Sequence, residues 1–168
     1  MPAASYVDQS QRVVITLCAG EVTLPEVERA CLSVRQNDAF RSDFRQLLDL
    51  SQVSRMQLHF RDLYGLRHSH DPFSHEARRA LVALDTSTYG VGRMYQQLVD
   101  SPQFEIFRSL PEAVQWLGLN VTALEGIVQP PTARGSLTLE AGGTELALPE
   151  TASPYLQDFL LRLRLGSG

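Results

Sequence analysis

Lysine is missing from this chain: all 15 of its basic residues are arginine. Arginine presents a planar fork of donors suited to carboxylates and phosphates, but a genome-wide base-composition bias yields the same usage, so this alone names no ligand. Cysteine is scarce. Cys18 and Cys31 are the two present, one in a strand pattern and one in a helix pattern. Their spacing is not that of a zinc or redox motif, and two buried thiols are expected. No apolar run approaches the ~20 residues of a membrane span. The opening Met-Pro-Ala-Ala-Ser-Tyr-Val-Asp lacks the basic and apolar regions of a secretory signal. A cytoplasmic protein with no membrane span is therefore expected. With a net charge of −4, the chain is not expected to bind nucleic acid, which would need a basic surface.

What the chain does have is enough apolar residue to fold. Hydrophobic residues make up 43% of its 168 positions and charged residues 20%, a globular balance. A chain of this length buries roughly 70% of the surface its unfolded form exposes, so no disulfide or metal staple is required.

Phe44 to Val53 is the most informative stretch. An apolar run, Phe44 to Leu50, stops at an Asp49-Leu50-Ser51 corner ahead of a helical pattern, the repeating unit of a parallel α/β sheet. Ser5–Asp8 and Arg12–Cys18 read as two strands that form a hairpin, with Gly20 ending the second. Thr23 and Glu26 form a capping box for a helix from Leu24 to Gln36. Gln57–Leu66 carries a leucine stripe at helical spacing, and His68–Ser74 reads as loop. Arg79–Leu84 is too continuously apolar to face water on either side, so it is a buried central strand. A helix over Thr86–Val99, a strand over Phe104–Phe107 and a helix capped by Ser109 with Glu112, stopped by Gly118, complete three strand-to-helix units.

Past Val121 the residues Gly126, Pro130, Pro131 and Gly135 mark a loop. Ser136–Glu140 and Thr144–Leu148 around Ala141-Gly142-Gly143 read as a hairpin, and Pro154–Leu165 as an amphipathic helix. The expected architecture is a mixed α/β sheet with parallel central strands: residues 1–120 form the domain and 121–168 an extension packed on it.

Asp49-Leu50-Ser51-Gln52-Val53, Ala80-Leu81-Val82-Ala83, Tyr89-Gly90-Val91-Gly92-Arg93-Met94-Tyr95 and the Phe107 to Leu117 segment together resemble the SpoIIAA-like, or STAS-like, group of small bacterial proteins, also labelled STAS/SEC14 domain proteins. The likeness spans roughly residues 5 to 119. It implies a four- or five-stranded mixed sheet with packed helices and a regulatory or protein-interaction role rather than catalysis. The SEC14 side of the kinship implies, as an alternative, a carrier or sensor of a small apolar or amphipathic ligand. Anti-anti-sigma factors in this group carry a phosphorylated serine after the Asp-Leu-Ser corner. Gln57-Leu58-His59-Phe60 stands at that place, without a hydroxyl, so the phospho-switch does not transfer.

The corners Asp49–Ser51, Asp85–Ser87 and Arg108–Ser109 are expected to meet on one rim, where helix N-termini attract anions. Asp49, Ser51, Asp85, Thr86, Tyr89, Arg93 and Arg108 are the candidate residues for a ligand or partner there. Arg93 is expected to reach a rim carboxylate, with Gly90 and Gly92 permitting close backbone approach. The plainer account is that the hydroxyls and carboxylates cap helices. His68, His70 and His75 flank Asp71 without the spacing of a known zinc motif, and solvated loop histidines are expected. No nucleophile elbow or Gly-rich phosphate loop occurs. No catalytic residue, metal or cofactor is expected; the expected partners are an unknown protein, a second copy of the chain, or a small apolar or anionic ligand.

Overall fold

Alternation of small and β-branched residues makes Ala3–Asp8 (β1) and Val13–Thr23 (β2) an antiparallel pair, with Ala3 opposite Cys18 and Asp8 opposite Val13. The turn is held by Asp8 Oδ1, which accepts the Ser10 N–H at 2.8 Å. The computed structural model describes residues 3–122 and 154–166, the latter with side chains over 156–165. It divides into two compact units, Met1–Leu119 and Asn120–Gly168.

In the first unit the remaining elements are Leu24–Arg35 (α1), Arg45–Gln57 (β3), Phe60–Gly65 (α2) running into a π-helical turn at Leu66–His70, Arg79–Val82 (β4), Thr86–Val99 (α3), Phe104–Phe107 (β5) and Leu110–Leu117 (α4). The five strands lie in sequence order, β1 antiparallel and β2 to β5 mutually parallel. Parallel neighbours require crossovers, and α1, α2 with its π turn, and α3 supply them.

Register decides which side chains share a face. Val14, Gln46, Arg79 and Phe104 form one row across the sheet, and Thr16, Leu48, Leu81 and Ile106 the next but one. Both rows point to the side covered by α1, α2 and α3, where Leu50, Val53, Leu81 and Phe104 pack with Ala30 and Tyr95. Phe107 alternates to the opposite face, and its ring meets Trp116 of α4 at 5.5 Å. Helices therefore cover both sides of the sheet.

Several ends are set by local chemistry. Glu26 accepts the Thr23 N–H at 2.9 Å, closing the expected box before α1. Gly118 ends α4 in the left-handed conformation, φ 69°, and Arg45 Nη1 donates to the freed Leu117 carbonyl at 2.6 Å. Ser109 stands before α4 without making a side-chain cap bond, so the expected Ser109–Glu112 box is not formed.

Two strands outrun their expected ends. β2 continues through Gly20, which sits at φ +67° beside a break in register with β3. Gly20 thus supplies a bulge, not a terminus. β3 passes Leu50 and continues to Gln57, beyond β4, pairing there with the end of β2. The segment expected as loop at His68 begins inside the π-helical turn.

In the second unit Pro154–Gly166 forms α5, with Leu156, Phe159, Leu160 and Leu163 buried and Leu161 and Leu165 exposed. The expected hairpin at Ser136–Glu140 and Thr144–Leu148, and the loop before it, lie outside the described residues.

Candidate functional site

Two of the three expected corners, those after β4 and β5, lie side by side, but Asp49–Ser51 is no corner: β3 runs on through it to Gln57. Val82 ends β4 opposite Phe107, which ends β5, and Val82 also pairs with Asp49 of β3. The corners after β4 and β5 therefore lie at the level of Asp49. The polar groups there, however, are bound to near neighbours in sequence. Asp49 is 1% exposed, and its Oδ1 accepts the Ser51 N–H at 2.9 Å and the Ser51 hydroxyl at 2.6 Å. Asp85 is the N-cap of α3: it accepts the Thr88 N–H at 3.0 Å and the Thr88 hydroxyl at 2.5 Å. The hydroxyl bond, followed by the backbone one, holds the Asp85 carboxyl below its ordinary value. Thr86 is the exposed first residue of that helix.

Arg108 donates to the Leu84 carbonyl at 3.2 Å and sits 4.3 Å over the half-buried Tyr89 ring. Arg93 departs from expectation. It is exposed and donates to Gln96 Oε1 at 2.7 Å, one helical turn further along α3, instead of reaching Asp49 or Asp85. Of the two glycines beside it, Gly92 lies where a Cβ would come within 3.1 Å of Leu81, whereas Gly90 faces open space. Close approach to the sheet is thus the business of Gly92.

A second location was not anticipated. Between the sheet and α1 to α3 lies a cavity of about 90 Å³. Its walls are mostly apolar: Cys18, Leu48, Leu50 and Leu81 on the sheet side, Val27, Ala30 and Cys31 on α1, Leu63 on α2, and Val91 and Gly92 on α3. Ser5 and Thr16 add hydroxyls that bond one another at 3.0 Å.

At the end set by the amino terminus of β4 the lining turns polar. Arg79 Nη1 donates to Asp71 Oδ2 at 2.8 Å, with side-chain exposures of 5% and 1%. The Tyr95 hydroxyl donates to the same oxygen at 2.5 Å. Asp71 Oδ1 accepts the Phe73 N–H at 3.1 Å, and Arg79 Nε donates to Gln46 Oε1 at 2.9 Å. The guanidinium also lies over three rings, at 4.6 Å from the centre of Phe73, 5.2 Å from Phe104 and 5.8 Å from Tyr95.

Burial by itself pulls the Arg79 pKa down, but Asp71 and Tyr95 outweigh it and hold the guanidinium charged. Burial raises the Tyr95 hydroxyl well above its ordinary 10.0. It also pushes the thiols of Cys18 and Cys31 up, to about 12 and about 11, with Asp49 and Asp71 respectively adding to the rise. Two neutral thiols therefore border the cavity at neutral pH.

Sequence reasoning passed over this cluster because Arg79 reads as the first residue of an apolar strand and Asp71 as loop. The usable sign was an arginine opening a strand otherwise buried on both faces, since a lone buried charge is not tolerated without a partner. The histidines go to separate partners: His68 against the Tyr64 ring at 4.2 Å, His70 3.6 Å from Glu28, and His75 Nε2 2.7 Å from the Asp100 carbonyl. Among the described residues no three His, Cys, Asp or Glu side chains are grouped to hold a metal ion. None of the helices described is long and apolar enough to cross a membrane.

No family model matches the chain, and no curated protein matches it in sequence. Among solved structures it is similar to an uncharacterised protein of the DUF3478 family, with a SpoIIAA-like fold, from Shewanella loihica PV-4. The two are 19% identical, the match covers 68% of this chain and 93% of that one, and the TM-score is 0.46.

Proposed function

We propose that this chain is a non-catalytic binding module that takes a small, compact, mostly apolar molecule into the cavity under α1, α2 and α3. The observation that supports it is an apolar void closed at one end by a buried, charged, hydrogen-bonded cluster. Such a void is not free, because the atoms that line it lack packing partners on one side. A buried ion pair adds little stability over apolar residues of the same shape. A core that keeps both side by side is built for something other than stability.

Size narrows the ligand. Drug-sized molecules need ~300 Å³ or more, so a cavity of about 90 Å³ suits a molecule of a few heavy atoms and argues against a bulky lipid. The rim at Asp49, Asp85 and Arg108 has its polar groups committed to caps and turns, which favours binding in the interior over chemistry at the strand ends.

The test is a panel of small cyclic and branched fragments, read by thermal unfolding and by protein NMR, against wild type and Ala30→Leu. Ala30 lines the cavity on α1, and the larger side chain fills it. The expected result is that at least one fragment raises Tm and shifts resonances of Leu81, Val91 and Tyr95 in the wild type but not in the variant. Equal shifts in both, or none in a folded wild type, overturn the reading.

A second reading, a regulatory module that docks on a protein partner or a second copy, is favoured by α2. Its inner residue Leu63 lines the cavity, while Phe60 and Tyr64, one turn apart, stand 57% and 52% exposed. Light scattering on wild type and the Phe60→Ser, Tyr64→Ser double variant tests self-association; a monomer in both cases removes the second-copy form of that reading.

A further inference from the structure

The polar end of the cavity has a donor surplus. We infer that it selects an uncharged ligand bearing a hydrogen-bond acceptor, such as a ketone or amide oxygen on a small apolar body, over a carboxylate or an amine. The inference rests on the cavity being a binding site and names the ligand's polar group.

Counting donors and acceptors carries it. Asp71, 1% exposed at its side chain, accepts three bonds: Oδ2 from Arg79 and Tyr95, and Oδ1 from the Phe73 N–H. Tyr95 spends its only proton on Asp71. Gln46 spends its oxygen on Arg79 Nε, which also fixes the amide orientation and turns Nε2 away from Arg79. A guanidinium has five N–H donors, and Arg79 uses Nε and Nη1. Neither Arg79 Nη2 nor Gln46 Nε2 has a hydrogen-bond partner among the described residues. Both side chains are more than nine-tenths buried and line the cavity. Aromatic rings cover the faces of the guanidinium, so its edge is what remains for a ligand.

Charge decides between the classes of acceptor. Arg79 and Asp71 already cancel, so a carboxylate matches the free donors but brings an uncompensated charge into an apolar enclosure, which costs several kcal/mol. An amine meets donors where it needs acceptors. A neutral carbonyl oxygen accepts from the free donors and leaves the balance of charge untouched, while its hydrocarbon body meets the apolar wall.

Titrations of the folded protein near pH 7 with cyclopentanone, cyclopentane, cyclopentylamine and isobutyrate, followed by NMR, test this. Cyclopentanone is expected to bind about 10-fold or more tightly than isobutyrate or cyclopentylamine, and more tightly than cyclopentane. Gln46→Glu keeps the acceptor for Arg79 Nε, removes the Nε2 donors and adds a negative charge. In that variant the order of cyclopentanone and cyclopentylamine is expected to reverse. Equal binding by all four probes, or preference for isobutyrate, overturns the selection while leaving the cavity reading intact. Absence of binding by every probe to folded wild type overturns both.

Discussion

Two places in this fold hold nearly the same set of side chains under opposite conditions. The rim at the ends of β4 and β5 has Asp85, Thr88, Tyr89 and Arg108; the cavity end has Asp71, Tyr95, Phe73 and Arg79. Each has an arginine over an aromatic ring, at 4.3 Å for Arg108 on Tyr89 and 4.6 Å for Arg79 on Phe73. At the rim the carboxylate bond runs three residues, from Asp85 to Thr88. In the cavity the bonds between side chains span 8, 24 and 33 residues, from Asp71 to Arg79, Asp71 to Tyr95 and Gln46 to Arg79. The rim groups punctuate a helix and keep water on one side. The cavity groups are buried and bond mainly to one another.

That contrast is broken most directly at Asp71. Asp71→Ala leaves the Arg79 charge buried and unpaired, and is expected to destabilise folding by about 3–5 kcal/mol in urea unfolding. A loss no larger than that from a rim substitution would mean that water reaches Arg79, and the distinction between the two places would collapse. Tyr95→Phe is milder. It removes one bond to a charged acceptor, an expected loss of about 1.5–3 kcal/mol, while the ring stays to cover the guanidinium. A loss within error of zero would show that Asp71 is satisfied without the hydroxyl.

Asp85→Ala comes next and sharpens the rim side. Losing an N-cap costs about 1 kcal/mol, to be read from the urea midpoint. Because the Asp85 carboxyl is held below its ordinary 3.8 in the folded chain, mainly by the Thr88 hydroxyl, its contribution is present above the unfolded value and lost as pH falls through the folded one. Wild type and Asp85→Ala are therefore expected to differ at pH 6 and to converge only once pH falls through the folded value, which lies under 3.8. A gap that persists in acid would assign the cap to the Thr88 backbone geometry and not to the carboxylate.

The same difference in sequence span explains what could be read ahead of the structure. Thr86–Val99 and Phe104–Phe107 were legible to the residue because their limits are set by adjacent chemistry: an Asp cap before α3, and a left-handed Asp100 after it. Gly118 stopped α4 for the same reason. The far end of β3 was not legible. Past Leu50 its residues turn polar because β4 has already ended and only β2 remains beside it, a fact about neighbours that no local pattern holds. Asp49 and Ser51, expected at a strand end, lie inside β3, whereas Asp85, Tyr89 and Arg108 could be placed near the ends of β4 and β5. Arg93 could not, because its nearest acceptor is Gln96, on its own helix. The Asp71, Gln46, Arg79 and Tyr95 cluster showed in the sequence only as an arginine opening a buried strand; its partners are separated from it by a loop and a whole strand-to-helix unit.

Arg108→Ala provides the smallest effect and the finest resolution of the comparison. The Arg108 side chain is exposed, bonds one carbonyl and rests on Tyr89, so its removal is expected to cost about 0.5–1 kcal/mol, the range of an exposed cation–π contact. Most of that should disappear on replacing Tyr89 by leucine in the same background, as a double-mutant cycle would show. Arg79 rests on three rings and Arg108 on one, so the excess expected of Arg79 over Arg108 combines the added ring contacts with desolvation and the Asp71 pair. A coupling between Arg108 and Tyr89 as large as that between Arg79 and Asp71 would reverse this, and would make the rim, with its helix N-terminus and its arginine, the better place to look for a ligand.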